Sequence, residues 1–222
     1  ALYLGIDFGT SGCRATVIDQ HQRSIAEVSI PLPAPERVEG RIQQQTSLWL
    51  DGLQGLFSAL SDQCELTQIK RLAIDGTSGS VLLCDQQGRA LTPALMYNDA
   101  SSSLAVESIR QHCPDPEHIT LNPGSGLAKG LQLSQSLDHR GFIMLNQADY
   151  LSNHLAGVWG VSDYHNALKL GYDVENLRWP EWIKRCVPAE ALPRVLASSV
   201  SGLIVDNTAA VAGDGEAWKA EL

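Results

Sequence analysis

The chain has 222 residues, 44% of them apolar and 18% charged, which excludes disorder and a coiled coil. Acidic residues outnumber basic ones 25 to 16, and the net charge of −9 opposes binding to nucleic acid or to an anionic membrane. A small anion remains a legitimate ligand, because backbone amides, helix N-termini or a divalent cation neutralise phosphate locally.

Residues 2–6 read as a short apolar strand, and Asp7-Phe8-Gly9-Thr10-Ser11-Gly12 as a turn rich in glycine and hydroxyls. Residues 13–18 alternate like a second strand. Residues 24–30 predict a third, antiparallel to it across the polar turn at 19–23. Pro31, Pro33 and Pro35 end that strand in an extended, exposed link. Trp49, Leu53, Leu56, Phe57 and Leu60 recur at helical spacing, which predicts a helix over 48–60 with Thr46 or Ser47 as its N-cap. A fourth strand is predicted over 69–74, parallel to the first because a helix connects them. It runs into a second turn of the same kind, Asp75-Gly76-Thr77-Ser78-Gly79. Residues 81–84 return as a strand, and Asp85-Gln86-Gln87-Gly88 turns a hairpin. Asn122-Pro123-Gly124-Ser125-Gly126 is a predicted loop before helices over 127–137 and 146–155, the second closed by Gly157. This order of elements predicts an α/β fold with a mixed sheet.

The five cysteines (Cys13, Cys64, Cys84, Cys113, Cys186) are odd in number and never form a C-x-x-C pair. They predict reduced thiols and a cytoplasmic location. No apolar run reaches the roughly 18 residues of a membrane span. An N-terminal Ala1 in place of Met, and an abrupt end at Leu222, raise the expectation of a processed or partial chain. The six histidines lack metal-site spacing, and no G-x-S-x-G elbow supports a hydrolase.

The chemistry concentrates in the two turns. Glycines let a backbone approach an oxyanion, and Thr10 and Ser11 add hydroxyl donors beside the main-chain N–H groups. Asp7 at a strand end suits Mg²⁺ held through water. A plain hairpin whose Asp, Ser and Thr cap their own turn would carry the same residue types. The spacing fits neither the P-loop nor the Rossmann fingerprint, since the first turn joins two strands.

Leu4-Gly5-Ile6-Asp7-Phe8-Gly9-Thr10-Ser11-Gly12-Cys13-Arg14 resembles the first phosphate motif of the actin-like ATPase superfold, and more narrowly the FGGY carbohydrate kinases. Four further blocks agree in order: Ala73-Ile74-Asp75-Gly76-Thr77-Ser78-Gly79, Met96-Tyr97-Asn98-Asp99, Gln147-Ala148-Asp149-Tyr150-Leu151, and the stretch from Ser162 to Asp173. The last block and the second turn are most similar to the branch of xylulose and D-ribulose kinases. The resemblance implies an actin-like (ribonuclease H-like) ATPase domain, a mixed sheet flanked by helices. It also implies transfer of the ATP γ-phosphoryl group to a ketopentose, D-ribulose or D-xylulose, with Mg²⁺.

On that resemblance Gly9, Thr10, Ser11, Gly12 and Arg14 bind phosphate, and Asp7 organises the metal and the chemistry. Asp75, Gly76, Thr77, Ser78 and Asp99 bind the sugar. The family's catalytic aspartate falls on Asp214, although here it follows Gly213 directly instead of closing a Gly-x-x-Asp segment. Many relatives carry Arg two residues after the aspartate matching Asp99, where this chain has Ser101. Residues 1–197 match a first, sugar-binding domain, and residues 198–222 the edge of an interdomain hinge. The other reading from these residues is a non-catalytic, actin-like sugar-binding or interaction module. The expected partners are a sugar and ATP, without nucleic acid or membrane, and a homodimer is left open.

Overall fold

The computed structural model describes residues 1–137, 141–196 and 204–206. Strands β1 (Leu2–Phe8), β2 (Gly12–Asp19) and β3 (Ser24–Pro31) form an antiparallel meander. A hairpin of β4 (Glu36–Val38) and β5 (Arg41–Gln44) leads into helix α1 (Thr46–Ser61) and strand β6 (Ile69–Gly76). Strands β7 (Val81–Cys84) and β8 (Ala94–Leu95) precede helices α2 (Ser103–Arg110) and α3 (Gly126–Ser134). Next come β9 (Ile143–Asn146), α4 (Gln147–Ala156), β10 (Val161–Asp163), α5 (Tyr164–Ala167) and α6 (Glu181–Cys186). β11 (Arg194–Leu196) and β12 (Ile204–Asp206) complete the described elements.

The strands make two five-stranded sheets, β12-β6-β1-β2-β3 and β4-β5-β8-β7-β9, and a small β10-β11 pair. β6 runs parallel to β1 while β2 runs antiparallel to it, so the first sheet is mixed as expected. In β1 exposed and buried residues alternate strictly: Leu2, Leu4, Ile6 and Phe8 enter the core, while Tyr3, Gly5 and Asp7 face out. The second sheet behaves differently, because both its faces are covered. Leu82, Cys84, Ile143 and Leu145 join the first core, with Trp49, Leu56 and Leu60 of α1. Val81, Leu83 and Met144 join a second core with Leu127 of α3 and Ile183 of α6. Hence β7 and β9 are buried at every position, without alternation, and only Asn146 among them is polar.

Several expectations change in detail. The 31–35 link is followed by the β4–β5 hairpin, which carries no alternating apolar pattern to announce it. The N-cap of α1 is Gln45, and no side chain caps this helix. Thr46 is buried in its first turn, and its hydroxyl bonds the Tyr150 phenol. Residues 81–84 enter the second sheet instead of rejoining the first. α4 starts one residue late, capped by Asn146, and ends at Gly157 in the left-handed region (φ 62°). All five cysteines are free, and burial pushes the Cys13 and Cys84 thiols up to about 11 and about 12. Among the described residues no helix is long and apolar enough to cross a membrane.

Asp149 in the first turn of α4 accepts a hydrogen bond from the Asn146 N–H (3.2 Å) and is buried. Burial, reinforced by the nearby Asp163 carboxylate, pushes its carboxyl up to about 8. The folded state therefore keeps a proton that an unfolded aspartate releases near pH 4. Its contribution to stability is full below about pH 4 and is lost as the pH rises to about 8. Asp149→Asn should flatten this slope. Thermal melts from about pH 5 to 8 should show a smaller fall in Tm than for the wild type, and equal falls would contradict the assignment.

Candidate functional site

Both glycine and hydroxyl turns reach the same edge of the first sheet because β1 and β6 are parallel. Their register pairs Asp7 with Asp75 and Phe8 with Gly76, so the turns leave from adjacent strand ends. On its other side Asp7 pairs with Arg14 of β2. Asp7, Arg14 and Asp75 line an open cleft of about 320 Å³ floored by Gly5, Thr16 and Ala73. The Arg14 Nε stands 3.4 Å from Asp7 Oδ2, with side chains 74% and 57% exposed. A pair this wet contributes at most about 1 kcal/mol. Both groups are therefore available to another partner.

The first turn spans residues 9–11, shorter than expected because β1 extends through Phe8 and β2 begins at Gly12. The carbonyls of Thr10 and Ser11 are turned into the protein. Gly9 N–H donates to Gly12 O (2.9 Å), and Leu32 N–H donates to Ser11 O (2.9 Å). The Gln44 amide donates to Thr10 O (3.3 Å) and to Pro33 O (2.7 Å), while its Oε1 accepts from Trp49 Nε1 (2.7 Å). Gln44 is itself buried. With those two carbonyls tied back, the turn presents the half-buried Thr10 and the exposed Ser11. That polarity suits an anion.

The second turn is fixed by α4. Thr77 donates through both N–H and Oγ1 to Gln147 Oε1, at 2.8 and 2.7 Å, and its hydroxyl also contacts Ser80 Oγ (2.7 Å). A Cβ on Gly76 would lie 3.0 Å from Gln147 Oε1 and 3.3 Å from the Ala148 nitrogen, so glycine lets α4 close on the turn. Asp75 Oδ1 accepts from Gly76 N–H (2.8 Å). Ser78 is exposed, and with Gly79 it borders a second cavity of about 340 Å³. Tyr97, Asn122, Ser125 and Lys169 complete the wall.

Lys129 holds these parts together. It is fully buried, and its ammonium donates to Gly79 O (2.9 Å), Met96 O (2.7 Å) and Tyr97 O (3.2 Å). Burial lowers its pKa to about 8 against the opposing pull of Asp99. Asp99 is only 2% exposed and borders neither cavity. Its Oδ2 accepts from Ile42 N–H (2.6 Å), and its Oδ1 from Ser101 N–H and Oγ (3.0 and 2.7 Å). Asp99 thus fixes the loop at 99–101 against Ile42. Asp214 lies outside the described residues.

Among the described residues no group of three or more His, Cys, Asp or Glu could hold a metal ion. A Mg²⁺ ion asks for less, one or two carboxylates with water completing its shell. The neighbouring, exposed Asp7 and Asp75 fit that demand.

The profile of the FGGY family of carbohydrate kinases, N-terminal domain, matches residues 2–216. The chain belongs to the FGGY family of carbohydrate kinases. Xylulose kinase of Escherichia coli K12 is 28% identical over 121 residues, 54% of this chain and 25% of that protein. A solved "xyloylose kinase" from Brucella ovis superposes with a TM-score of 0.77 at 23% identity, over 93% of this chain and 47% of the other. Plasmodium falciparum glycerol kinase with ADP superposes at 0.74 and 18% identity, over 87% and 42%. This FGGY chain spans less than half the length of these relatives, and the two solved structures share its actin-like fold.

Sequence reasoning found the two turns of the FGGY chain and missed what supports them. Lys129 was detectable, because a lysine interrupts the apolar run from Leu127 to Leu133. Gln44 carried no signal beyond its polarity. Lys129→Met strands the Gly79 and Tyr97 carbonyls, while Met96 O keeps the Asp99 N–H (2.9 Å); each stranded carbonyl costs about 1–3 kcal/mol when buried without a partner. Denaturant unfolding should show a loss of about 3 kcal/mol or more, against about 0.5 kcal/mol or less for the exposed Lys70→Met. Similar values for both would show that Lys129 does not hold the turn.

Proposed function

We propose that this chain is the sugar-binding part of an ATP-dependent kinase that phosphorylates a ketopentose, D-ribulose or D-xylulose. One observation carries the reading: the parallel β1–β6 register sets a hydroxyl-bearing turn beside a polar turn and a polar cavity. Family membership and the xylulose kinase relatives support the reaction class.

Phosphoryl transfer asks the protein chiefly for alignment and charge neutralisation. In this reading the Thr10 and Ser11 hydroxyls and amides receive the transferring phosphate, with Arg14 beside them, while Gly9 and Gly12 close the turn through the Gly9 N–H to Gly12 O bond. Asp7 would hold Mg²⁺ through water, and the ion would supply neutralisation of the phosphate charge. Asp75 and Ser78 bond the sugar hydroxyls, while Thr77, engaged by Gln147, fixes the turn that presents them. Asp214 is the proposed acceptor of the sugar hydroxyl's proton. The free thiols fit a reducing, cytoplasmic setting.

Asp7→Ala in the full-length enzyme should abolish phosphoryl transfer while the melting temperature changes little, because this strand-end carboxylate is exposed and only weakly paired. Retained turnover in a coupled assay of ADP release would sink the assignment. Ser78→Ala should weaken pentulose binding by about 0.5–1.5 kcal/mol. Calorimetry with each pentulose measures it, and an unchanged affinity would remove Ser78 from the site.

A further inference from the structure

The second cavity differs in chemistry from the cleft beside it. Asp7 and Asp75 line the first, whereas the lining of the second holds, among the described residues, one cation and no carboxylate. That cation is Lys169, in a chain of net charge −9. Its ammonium carries three donors and no acceptor.

The Ser78 and Tyr97 hydroxyls on the opposite segments both donate and accept, and suit the sugar's hydroxyls; the side formed by Asn122, Ser125 and Lys169 differs. Ser125 is committed as the cap of α3: it donates to Thr120 O (2.9 Å) and accepts from Ala128 N–H (3.2 Å). Asn122 Oδ1 accepts from Gly124 N–H (2.7 Å), which leaves its NH₂ group, a double donor. The wall formed by Asn122 and Lys169 therefore offers donors. The position of Lys169 is fixed by its backbone, since a Cβ on Gly126 would stand 2.7 Å from the Lys169 carbonyl oxygen. Leu170, next in the chain, is fully buried.

A donor wall distinguishes a carbonyl from a hydroxyl. A carbonyl oxygen only accepts, whereas a hydroxyl also carries a proton that must find an acceptor or be left unpaired. We infer that Lys169, with the Asn122 amide, binds the carbonyl end of the sugar and makes the site select ketoses over alditols of equal length. The inference rests on the kinase reading above and deepens it. Discrimination of this kind is strong, because a site built for one pattern of donors leaves the wrong ligand's polar groups unsatisfied.

The test uses the full-length protein with D-ribulose, D-xylulose, ribitol and xylitol as acceptors, read by ADP release. The wild type should prefer each ketose to its alditol. Lys169→Met should raise the ketose KM about ten- to a hundredfold, the loss of one charge-assisted hydrogen bond. The ATP KM and the melting temperature should stay close to the wild type, so the ketose-to-alditol ratio of kcat/KM collapses. Lys169→Gln, which keeps a neutral donor, should fall between the two and serves if the Met variant does not fold. An unchanged ketose KM, or equal losses on ketose and alditol, would overturn the inference and leave the kinase reading standing. No turnover of either ketose by the wild type would instead overturn the kinase reading, and this inference with it.

Discussion

The site depends on β1 being paired along both edges, parallel to β6 and antiparallel to β2. Strand pairing has a side-chain period of two, so a slip of one residue against β6 would turn Asp75 into the core and Ile74 out to solvent. The buried alternation of Leu2, Leu4, Ile6 and Phe8 forbids that slip. Apolar burial on one face thus sets which polar residues meet on the other. The juxtaposition of Asp7, Arg14 and Asp75 is a by-product of core packing.

From that register the remaining parts are braced by single buried polar residues. Gln44 ties the first turn to the proline-rich link and to α1. Gln147 ties the second turn to α4. Lys129 ties the second turn to the segment at 96–97. Gln44 and Lys129 spend their donors on backbone carbonyls, whereas Gln147 accepts twice from Thr77 through Oε1 and keeps a buried Nε2 without a partner. Active turns need exposed hydroxyls, and exposed turns are mobile unless something behind them is fixed. Here the bracing comes from side chains far away in sequence.

That separation explains what the sequence made legible. β1, β2, β3, α1 and β6 declare themselves by periodicity, and glycine with hydroxyls marks both turns where the structure places them. The second sheet was harder to read: 81–84 was expected as a strand, but β9, buried on both faces, lacks the alternation that signals one. β8 is only two residues long. Asp99 was marked by its motif, and the contact of its carboxylate with the Ile42 N–H was not, because it comes from an unforeseen hairpin. Lys169 passed unnoticed because its meaning lies in a cavity assembled from four separate segments.

The Gln44 bridge also gives the protein an internal reporter. Trp49 is completely buried, and its indole N–H is bonded to the same amide that bonds Thr10 in the first turn. The sequence holds five tryptophans, so the indole region of a nitrogen–proton correlation spectrum is sparse enough to assign one by one. An anion that draws Thr10 outward must lengthen the Gln44 contact. The strain then passes through two hydrogen bonds to a proton shielded from solvent, and the Trp49 resonance registers occupancy of a loop it never touches.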